Sequence, residues 1–250
     1  MATINLQVKD GIAELELNRP EARNAINLTM VREMGAALDS LLERDEVRAV
    51  IISGRGGKAF ASGADIAELR ERTHREAFFA INATLFQRLE DFPRPTIAAI
   101  EGYALGGGLE LALACDLRVG SRSARVGLPE ATLGIYPAAG GTFRLPRLIG
   151  LGRAKDLVFT GRIVEAEEAY ALGIFERLCD AGQAVAVASE WASSIAANAS
   201  LALQVAKMAL NSGSRGGDPM AVERLGQALL FDSPEKRERM TSFLEKRATK

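Results

Sequence analysis

The sequence GYALGGGLELALACD (residues 102–116) places three consecutive glycines directly before an apolar run that contains one carboxylate, Glu110. Glycine lowers helix stability, and a carboxylate is costly to bury in an apolar interior. Glycines at the start of a helix leave unpaired amides that no side chain covers, at the end where the helix dipole favours negative charge. The stretch therefore predicts a helix N-terminus that can hold an oxygen atom as it gains negative charge, provided that a second donor approaches from elsewhere.

A second glycine-containing loop, FASGAD (residues 60–65), is a candidate for that donor because small residues surround Gly63 and would let a ligand reach the main chain. A dinucleotide- or phosphate-binding turn is disfavoured. The glycines 106–108 are contiguous and match neither G-x-G-x-x-G nor G-x-x-x-x-G-K-[ST]. Taken alone, each of the two loops also fits an ordinary tight turn.

Carboxylates are the expected carriers of any acid–base chemistry in this chain. The single histidine, His74, lies among charged residues and is interpreted as helix surface, so a histidine metal site or a Ser-His-Asp relay is disfavoured. Glu110 and Glu130 each have two interpretations. They stabilise helix N-termini, or they are partly desolvated acids whose pKa values approach the working pH.

The overall composition is that of an ordinary globular protein. The chain has 250 residues, of which 48% are hydrophobic and 25% charged, and its formal net charge is -1. No Lys/Arg block stands out, which argues against nucleic acid or an anionic membrane as the main partner. No apolar run approaches the roughly 20 residues of a membrane span, and no apolar signal core follows Met1. We expect a cytoplasmic protein.

Strand and helix patterns alternate along most of the chain, which predicts an α/β fold. Strand patterns cover residues 12–18, 47–54 and 95–104, and helical patterns cover residues 28–44 and 66–89, with residues 54–65 interpreted as a loop. Beyond Gly150 the pattern is largely helical. We therefore expect two regions, an α/β core over residues 1–190 and a helical region over residues 191–250.

The sequence resembles the crotonase (enoyl-CoA hydratase/isomerase) superfamily over essentially its whole length. The resemblance implies a spiral of ββα turns that carries the CoA and acyl site, followed by a C-terminal helical trimerisation region, with assembly as a homotrimer or a dimer of trimers. The motifs that carry it occur in family order, and they are NRPEARNAIN, AFASGADI, GYALGGGLELALACD, LPEATLGIYPAAGGTFRLPRLIG, EAEEAYALG and FDSPEKRERMTSFLEKR.

The resemblance also implies a set of site residues. The backbone N–H groups of Ala64 and Gly107 would form an oxyanion hole, and Glu110 and Glu130 would be the two catalytic carboxylates. Contacts with coenzyme A are implied for Ala64, Asp65, Ile66, Ala67 and Arg23. Tyr136 and Phe143 depart from the more common residues of the pattern and would alter the acyl preference if they line the acyl pocket.

The activity implied is that of a hydro-lyase, an enoyl-CoA hydratase that adds water syn across the 2,3 double bond of a 2-enoyl-CoA, as in the β-oxidation of fatty acids. No metal or separate cofactor is implied, since coenzyme A is part of the substrate. The alternatives are a Δ3-Δ2-enoyl-CoA isomerase or a specialised acyl-CoA dehydratase or hydrolase of the same superfamily. A non-catalytic binding protein that keeps the fold is a further, weaker alternative.

Overall fold

Strands and helices alternate in the computed structural model, which describes residues 2–248, and the predicted α/β class is confirmed. The strands in this part of the chain are β1 (Ile4–Lys9), β2 (Ile12–Leu17), β3 (Ala49–Gly54), β4 (Ala59–Ala61), β5 (Thr96–Ile100), β6 (Tyr103–Leu105), β7 (Leu117–Ser121), β8 (Arg125–Gly127), β9 (Val164–Glu165) and β10 (Arg177–Cys179).

The helices fall between the strands and then dominate the C-terminal part. They are α1 (Leu28–Leu42), α2 (Ile66–Glu71), α3 (His74–Phe78), α4 (Ile81–Glu90), α5 (Gly107–Ala114), α6 (Gly141–Ile149), α7 (Leu151–Thr160), α8 (Ala166–Leu172), α9 (Ala184–Ala196), α10 (Ser200–Ser214), α11 (Pro219–Phe231) and α12 (Pro234–Ala248). Two short 3-10 turns span Pro20–Ala22 and Pro129–Leu133.

From β3 to β8, successive strands alternate between two sheets, as a spiral of ββα turns requires. One sheet has the order β1-β2-β3-β5-β7-β10 and the other the order β4-β6-β8-β9. Strands β3, β5 and β7 enter the first sheet, and the strand that follows each of them, β4, β6 or β8, enters the second. Because β4, β6 and β8 are parallel to one another, their carboxyl ends lie at one edge of the smaller sheet.

The core lies on both faces of the larger sheet, which is why β3 and β5 are continuous apolar runs. Helix α1, whose N-cap is Asn27, buries Met30, Met34 and Leu38 on one side. Helix α9 buries a stripe of alanines against the other side. The expected division at residue 190 falls inside α9, a helix that packs on β3, β5 and β7.

Three local expectations differ from the structure. The single helix over residues 66–89 is wrong, because α2, α3 and α4 are separate and Ala80, the N-cap of α4, has a φ of 46°. The loop over residues 54–65 contains the short strand β4. The single strand over residues 95–104 is divided at Gly102, where φ is 60° and a Cβ atom would lie 2.2 Å from the Lys58 carbonyl oxygen.

The C-terminal helices expose many large apolar side chains. Leu210, Leu225 and Phe231 are 75%, 74% and 56% exposed, and Phe243 and Leu244 are each 64% exposed. An apolar surface of this extent is unusual for an isolated chain. No helix in the described part of the chain combines the length and apolarity needed to cross a lipid bilayer.

Candidate active site

The site lies where the three parallel strands of the smaller sheet end. β4 pairs with β6, and β6 pairs with β8, each in parallel register. The chain leaving β4 forms the loop of Gly63 and Ala64, the chain leaving β6 enters the glycine triplet, and the chain leaving β8 reaches Glu130. Three segments that are far apart in sequence therefore meet at one edge, as is usual for sites in parallel sheets.

The amides of Ala64 and Gly107 belong to adjacent backbone segments. A Cβ atom built on Gly107 would lie 3.5 Å from the nitrogen of Ala64. Gly107 is the first residue of α5, so its N–H has no acceptor within the helix. Among residues 2–248, neither N–H donates a hydrogen bond to the main chain. The arrangement offers two unpaired donors close together, which is the requirement of an oxyanion hole.

The glycines on either side of Gly107 are required by close backbone approach. Gly106 has φ and ψ of 51° and -126°, and a Cβ atom there would lie 3.0 Å from Oε1 of Glu130. A Cβ atom on Gly108 would lie 2.0 Å from the carbonyl oxygen of Ala61. The triplet thus lets β4, α5 and Glu130 lie in contact. A side chain on Gly106 or Gly108 would push them apart.

Glu110 lies in the first turn of α5 and is buried, with 3% of its surface exposed. Its Oε1 accepts hydrogen bonds from the amides of Ala139 at 2.7 Å and Gly141 at 2.9 Å. Burial raises the pKa of Glu110, while the two amides and the positive charge of Arg144 act in the opposite direction. The carboxyl group is therefore fixed in orientation by its Oε1 atom, with its other oxygen left for a ligand.

Arg144 supports the loop that binds Glu110. This buried guanidinium donates to the carbonyl oxygen of Ala139 at 3.0 Å and forms an ion pair with Glu90 at 2.6 Å. The sequence pattern did not single out Arg144. Gly141, Leu145 and Ile149 are spaced along one buried face of α6, and Arg144 lies on the same face. This spacing would have indicated a buried arginine, which needs an acidic partner.

Glu130 lies in the 3-10 turn that follows β8. Its Oε1 lies against the bare backbone of Gly106, and its Oε2 is buried without a hydrogen-bond partner in the described residues. The pKa of Glu130 is raised to about 7, mainly because burial penalises the charged form, while its own backbone amide lowers the pKa and the charge of Glu110 contributes to the rise. A carboxyl group with such a pKa can hold or release a proton near neutral pH.

Both glutamates line one cavity of about 350 Å³, together with the loops of Ala64 and Gly107. Its remaining wall is mostly apolar and comes from the start of α4 and from Leu133 and Ile135. A mostly apolar cavity with a few convergent polar groups is typical of a site for a small organic ligand. The cavity therefore joins the residues that the sequence singled out for chemistry.

The residues that the resemblance assigns to coenzyme A occupy the rim of this region. Asp65 caps α2 through the amide of Ala67 at 3.2 Å and forms an ion pair with Arg19 at 3.1 Å. Ile66 is 56% exposed and lines the cavity, whereas Ala67 is exposed and lies outside it. Arg23 is exposed, and its carbonyl oxygen accepts from the amide of Ser62 at 3.0 Å. Their contacts with coenzyme A stay predictions.

Tyr136 and Phe143, the two departures from the pattern, differ in position. Tyr136 lines the cavity, whereas Phe143 lines a neighbouring groove, where Arg144 and Arg147 lie over its ring at 4.7 Å and 5.3 Å. Sequence reasoning also missed Asn24, which is fully buried in the loop beneath the Ala64 segment. Asn24 belongs to the turn-forming stretch RPEARNAIN, and this position gave no sign of burial.

Comparison with known proteins gives one consistent result. A statistical description of the enoyl-CoA hydratase/isomerase family matches residues 7–250. The short-chain-enoyl-CoA hydratase of Clostridium acetobutylicum is 39% identical over 246 residues, which cover 97% of this chain and 94% of that protein. The crotonyl-CoA hydratase of Syntrophomonas wolfei is 38% identical over 248 residues, covering 98% and 95% of the two chains.

The fold gives the same result. The crystal structure of an enoyl-CoA hydratase from Bacillus anthracis superposes with a TM-score of 0.93 at 37% identity, covering 98% of this chain and 96% of that one. The crotonase-like fold predicted from the sequence is thereby confirmed. With matched segments that extend over nearly the whole chain, the protein belongs to the enoyl-CoA hydratase/isomerase family.

Proposed function

We propose that this protein is a hydro-lyase that adds water syn across the 2,3 double bond of a 2-enoyl-CoA thioester to give a 3-hydroxyacyl-CoA. One observation carries the proposal. Two glutamates, one oriented by two amides and one with a pKa of about 7, line a single cavity beside two unpaired backbone amides. The two bacterial relatives compared above are named as hydratases, which supports the same reaction.

The thioester oxygen would accept hydrogen bonds from the amides of Ala64 and Gly107. Water attacking the β-carbon moves an electron pair onto this oxygen and creates an enolate. One donor of this kind contributes about 3–4 kcal/mol to stabilisation of such a charge, because it is already oriented before the reaction begins. The electron pair then returns to the α-carbon as that carbon takes up a proton.

The two carboxyl groups have complementary proton roles in this reaction. Glu110, whose Oε1 is held as an acceptor by two amides, takes the proton of the attacking water. Glu130, whose pKa of about 7 leaves it partly protonated at neutral pH, gives its proton to the α-carbon. Turnover leaves the proton on Glu110, and its transfer to Glu130 restores the starting state. Because the two groups interact, they titrate as a pair.

The test is the loss of the conjugated enoyl thioester absorbance with crotonyl-CoA, beside a parallel assay of the 3-enoyl isomer. We expect hydration of crotonyl-CoA by the wild-type protein and a loss of about 10²–10⁴-fold in the Glu130→Gln variant, with thioester binding retained. Double-bond migration without hydration would instead favour the isomerase alternative. Hydration by Glu130→Gln at the wild-type rate would refute the role of Glu130.

We also propose that the chain assembles as a homotrimer or a dimer of trimers. The exposed apolar side chains of α10, α11 and α12 support this, since association would remove them from water. Light scattering on the purified protein should give a mass that is three or six times 26.7 kDa. A monomeric mass at micromolar concentration would exclude the proposed assembly.

A further inference from the structure

Asn82, in the first turn of α4, has a buried side-chain oxygen with no hydrogen-bond partner. In the described part of the chain such orphaned buried atoms are few, namely Nε of Arg48, Oδ1 of Asn82 and Oε2 of Glu130. Asn82 and Glu130 line the same cavity. Two unpaired acceptors in one cavity of about 350 Å³ are unusual, because buried polar groups in folded proteins are nearly always paired.

The unpaired oxygen of Glu130 is accounted for by the proposed proton transfer, whereas that of Asn82 is not. Asn82 carries no charge and cannot exchange a proton at neutral pH. The residues beside it, Ile81 and Ala83, are apolar. The polar residues Ser62, Arg72 and Tyr136 line the same cavity, but none of them pairs with the buried oxygen of Asn82. An apolar side chain at this position would suit an apolar acyl group better, so the amide calls for a ligand with its own polar group.

We infer that Asn82 determines acyl specificity by accepting a hydrogen bond from a hydroxyl group on the acyl chain of the thioester. The protein then prefers a hydroxylated 2-enoyl-CoA to the unsubstituted thioester of equal length. The preference arises because the unsubstituted chain leaves the buried oxygen of Asn82 unpaired, and sites built for a hydroxyl disfavour analogues that lack it. The reaction assumed here rests on the proposed function, whereas the binding preference does not.

The test uses matched pairs of (E)-2-enoyl-CoA thioesters of four to six carbons, with and without a terminal hydroxyl group. The trans double bond keeps that hydroxyl from closing onto the thioester. For at least one pair we expect kcat/KM of the wild type to favour the hydroxylated member by about ten-fold, the value of one buried hydrogen bond. In Asn82→Leu, which has a similar volume, the preference should disappear, because kcat/KM falls for the hydroxylated member, which loses its acceptor, and rises for the unsubstituted member, which no longer leaves an oxygen unpaired.

Two controls separate recognition from folding. Thr84→Val alters a polar side chain on the same helix that does not line this cavity, and it should keep the wild-type preference. Asn82→Leu should unfold at the same temperature as the wild type or higher, since Oδ1 of Asn82 gives up no hydrogen bond. A residue with only a structural role would lower the unfolding temperature and affect both members of a pair alike.

The inference is overturned if no pair differs by more than about two-fold in the wild type, or if Asn82→Leu reduces both members of a pair equally. Absence of hydration of every thioester would refute the proposed function instead. In that case calorimetric Kd values for the same unreacted pairs, measured on wild type and Asn82→Leu, still decide whether Asn82 recognises the hydroxyl group.

Discussion

Gly106 and Glu130 lie so close that a methyl group on the glycine would be 3.0 Å from Oε1 of the glutamate. Gly106 also has a φ of 51°, a value that residues with side chains rarely adopt. The carboxyl group of Glu130 therefore rests against bare backbone at the start of α5. Its distance from the amide of Gly107 depends on the absence of one side chain.

Gly106→Ala should impair both folding and hydration. The strained backbone conformation is expected to lower the free energy of unfolding by about 1–3 kcal/mol. Displacement of Glu130 should lower kcat/KM for crotonyl-CoA by about 10²-fold, since reacting groups tolerate little misplacement. Denaturant unfolding and enoyl thioester absorbance measure the two effects. Gly152→Ala in α7, where a Cβ atom meets open space, is the matched control and should stabilise the helix slightly.

Glu130→Gln should be more stable than the wild type at neutral and higher pH. The folded-state pKa of Glu130, about 7, lies above its ordinary value of 4.5, so the folded protein binds this proton more tightly than the unfolded chain does. The stabilisation that this proton gives is complete below pH 4.5 and is lost as the pH rises through 7. Glutamine, which never ionises, avoids that loss. After allowance for solvent screening, we expect roughly 1–2 kcal/mol at pH 8.

Urea unfolding of both proteins between pH 4 and pH 8 checks this expectation. The difference in free energy of unfolding should be near zero at the acidic end and should grow with pH. Glu43→Gln, at an exposed position after α1, should give a difference that stays small across the range. A Glu130→Gln variant that is less stable than the wild type at pH 8 would mean that the carboxylate is stabilised by the fold rather than penalised by burial.

Glu110→Gln should separate orientation from proton transfer. The glutamine oxygen can still accept from the amides of Ala139 and Gly141, and the glutamine carries no charge that burial penalises, so the variant should be at least as stable as the wild type at neutral pH. The loss of the base should lower kcat by about 10²–10⁴-fold while KM for crotonyl-CoA stays close to that of the wild type. Glu110→Ala also removes the acceptor, so its free energy of unfolding should be about 1–3 kcal/mol lower than that of Glu110→Gln. Equal stabilities of the two variants would contradict the importance of these amide contacts.

Asn24→Ala should destabilise the loop beneath the Ala64 segment by about 2–4 kcal/mol. The Asn24 side chain accepts from the amide of Arg19 at 3.0 Å and donates to the carbonyl oxygens of Arg55 at 3.0 Å and Ala59 at 2.8 Å. Its φ of 55° is also easier for asparagine than for alanine. Asn24→Gly keeps the backbone freedom but loses the bonds, so its loss should be smaller. Thermal unfolding measures both, and a wild-type stability in either variant would contradict the role of these bonds.

Much of the site could be predicted from the sequence because each of its parts is a short stretch of neighbouring residues with a recognisable pattern. The glycine triplet with Glu110 indicates a helix N-terminus, and the alternation of strands and helices indicates the parallel sheets that join distant loops. Their meeting in space, however, came from the resemblance to a known family, since no local pattern states that β4 pairs with β6. The helix boundaries around Ala80 were missed because the apolar pattern continues through this residue. Its left-handed backbone conformation ends the helical path, and no glycine or proline signals that change.

The supporting residues were harder to predict for a physical reason. Arg144 and Asn24 act through several contacts, which include main-chain oxygens of other segments, at 3.0 Å from Ala139 and 2.8 Å from Ala59. Such contacts follow from the folded topology alone. Asn82 was likewise not distinguished from its neighbours, because the sequence pattern placed it inside one helix over residues 66–89, whereas it lies in the first turn of α4. Its significance lies in the absence of a partner, which only coordinates reveal.

The segment over residues 66–82 supplies one wall of the cavity and belongs to neither sheet. The groups proposed for catalysis, by contrast, are anchored at strand ends or in α5. One wall of the cavity is thus encoded in a stretch of the gene that holds none of the groups proposed for catalysis. A library randomised at cavity-facing codons of this segment can be selected for new acyl groups while the reaction machinery is inherited unchanged.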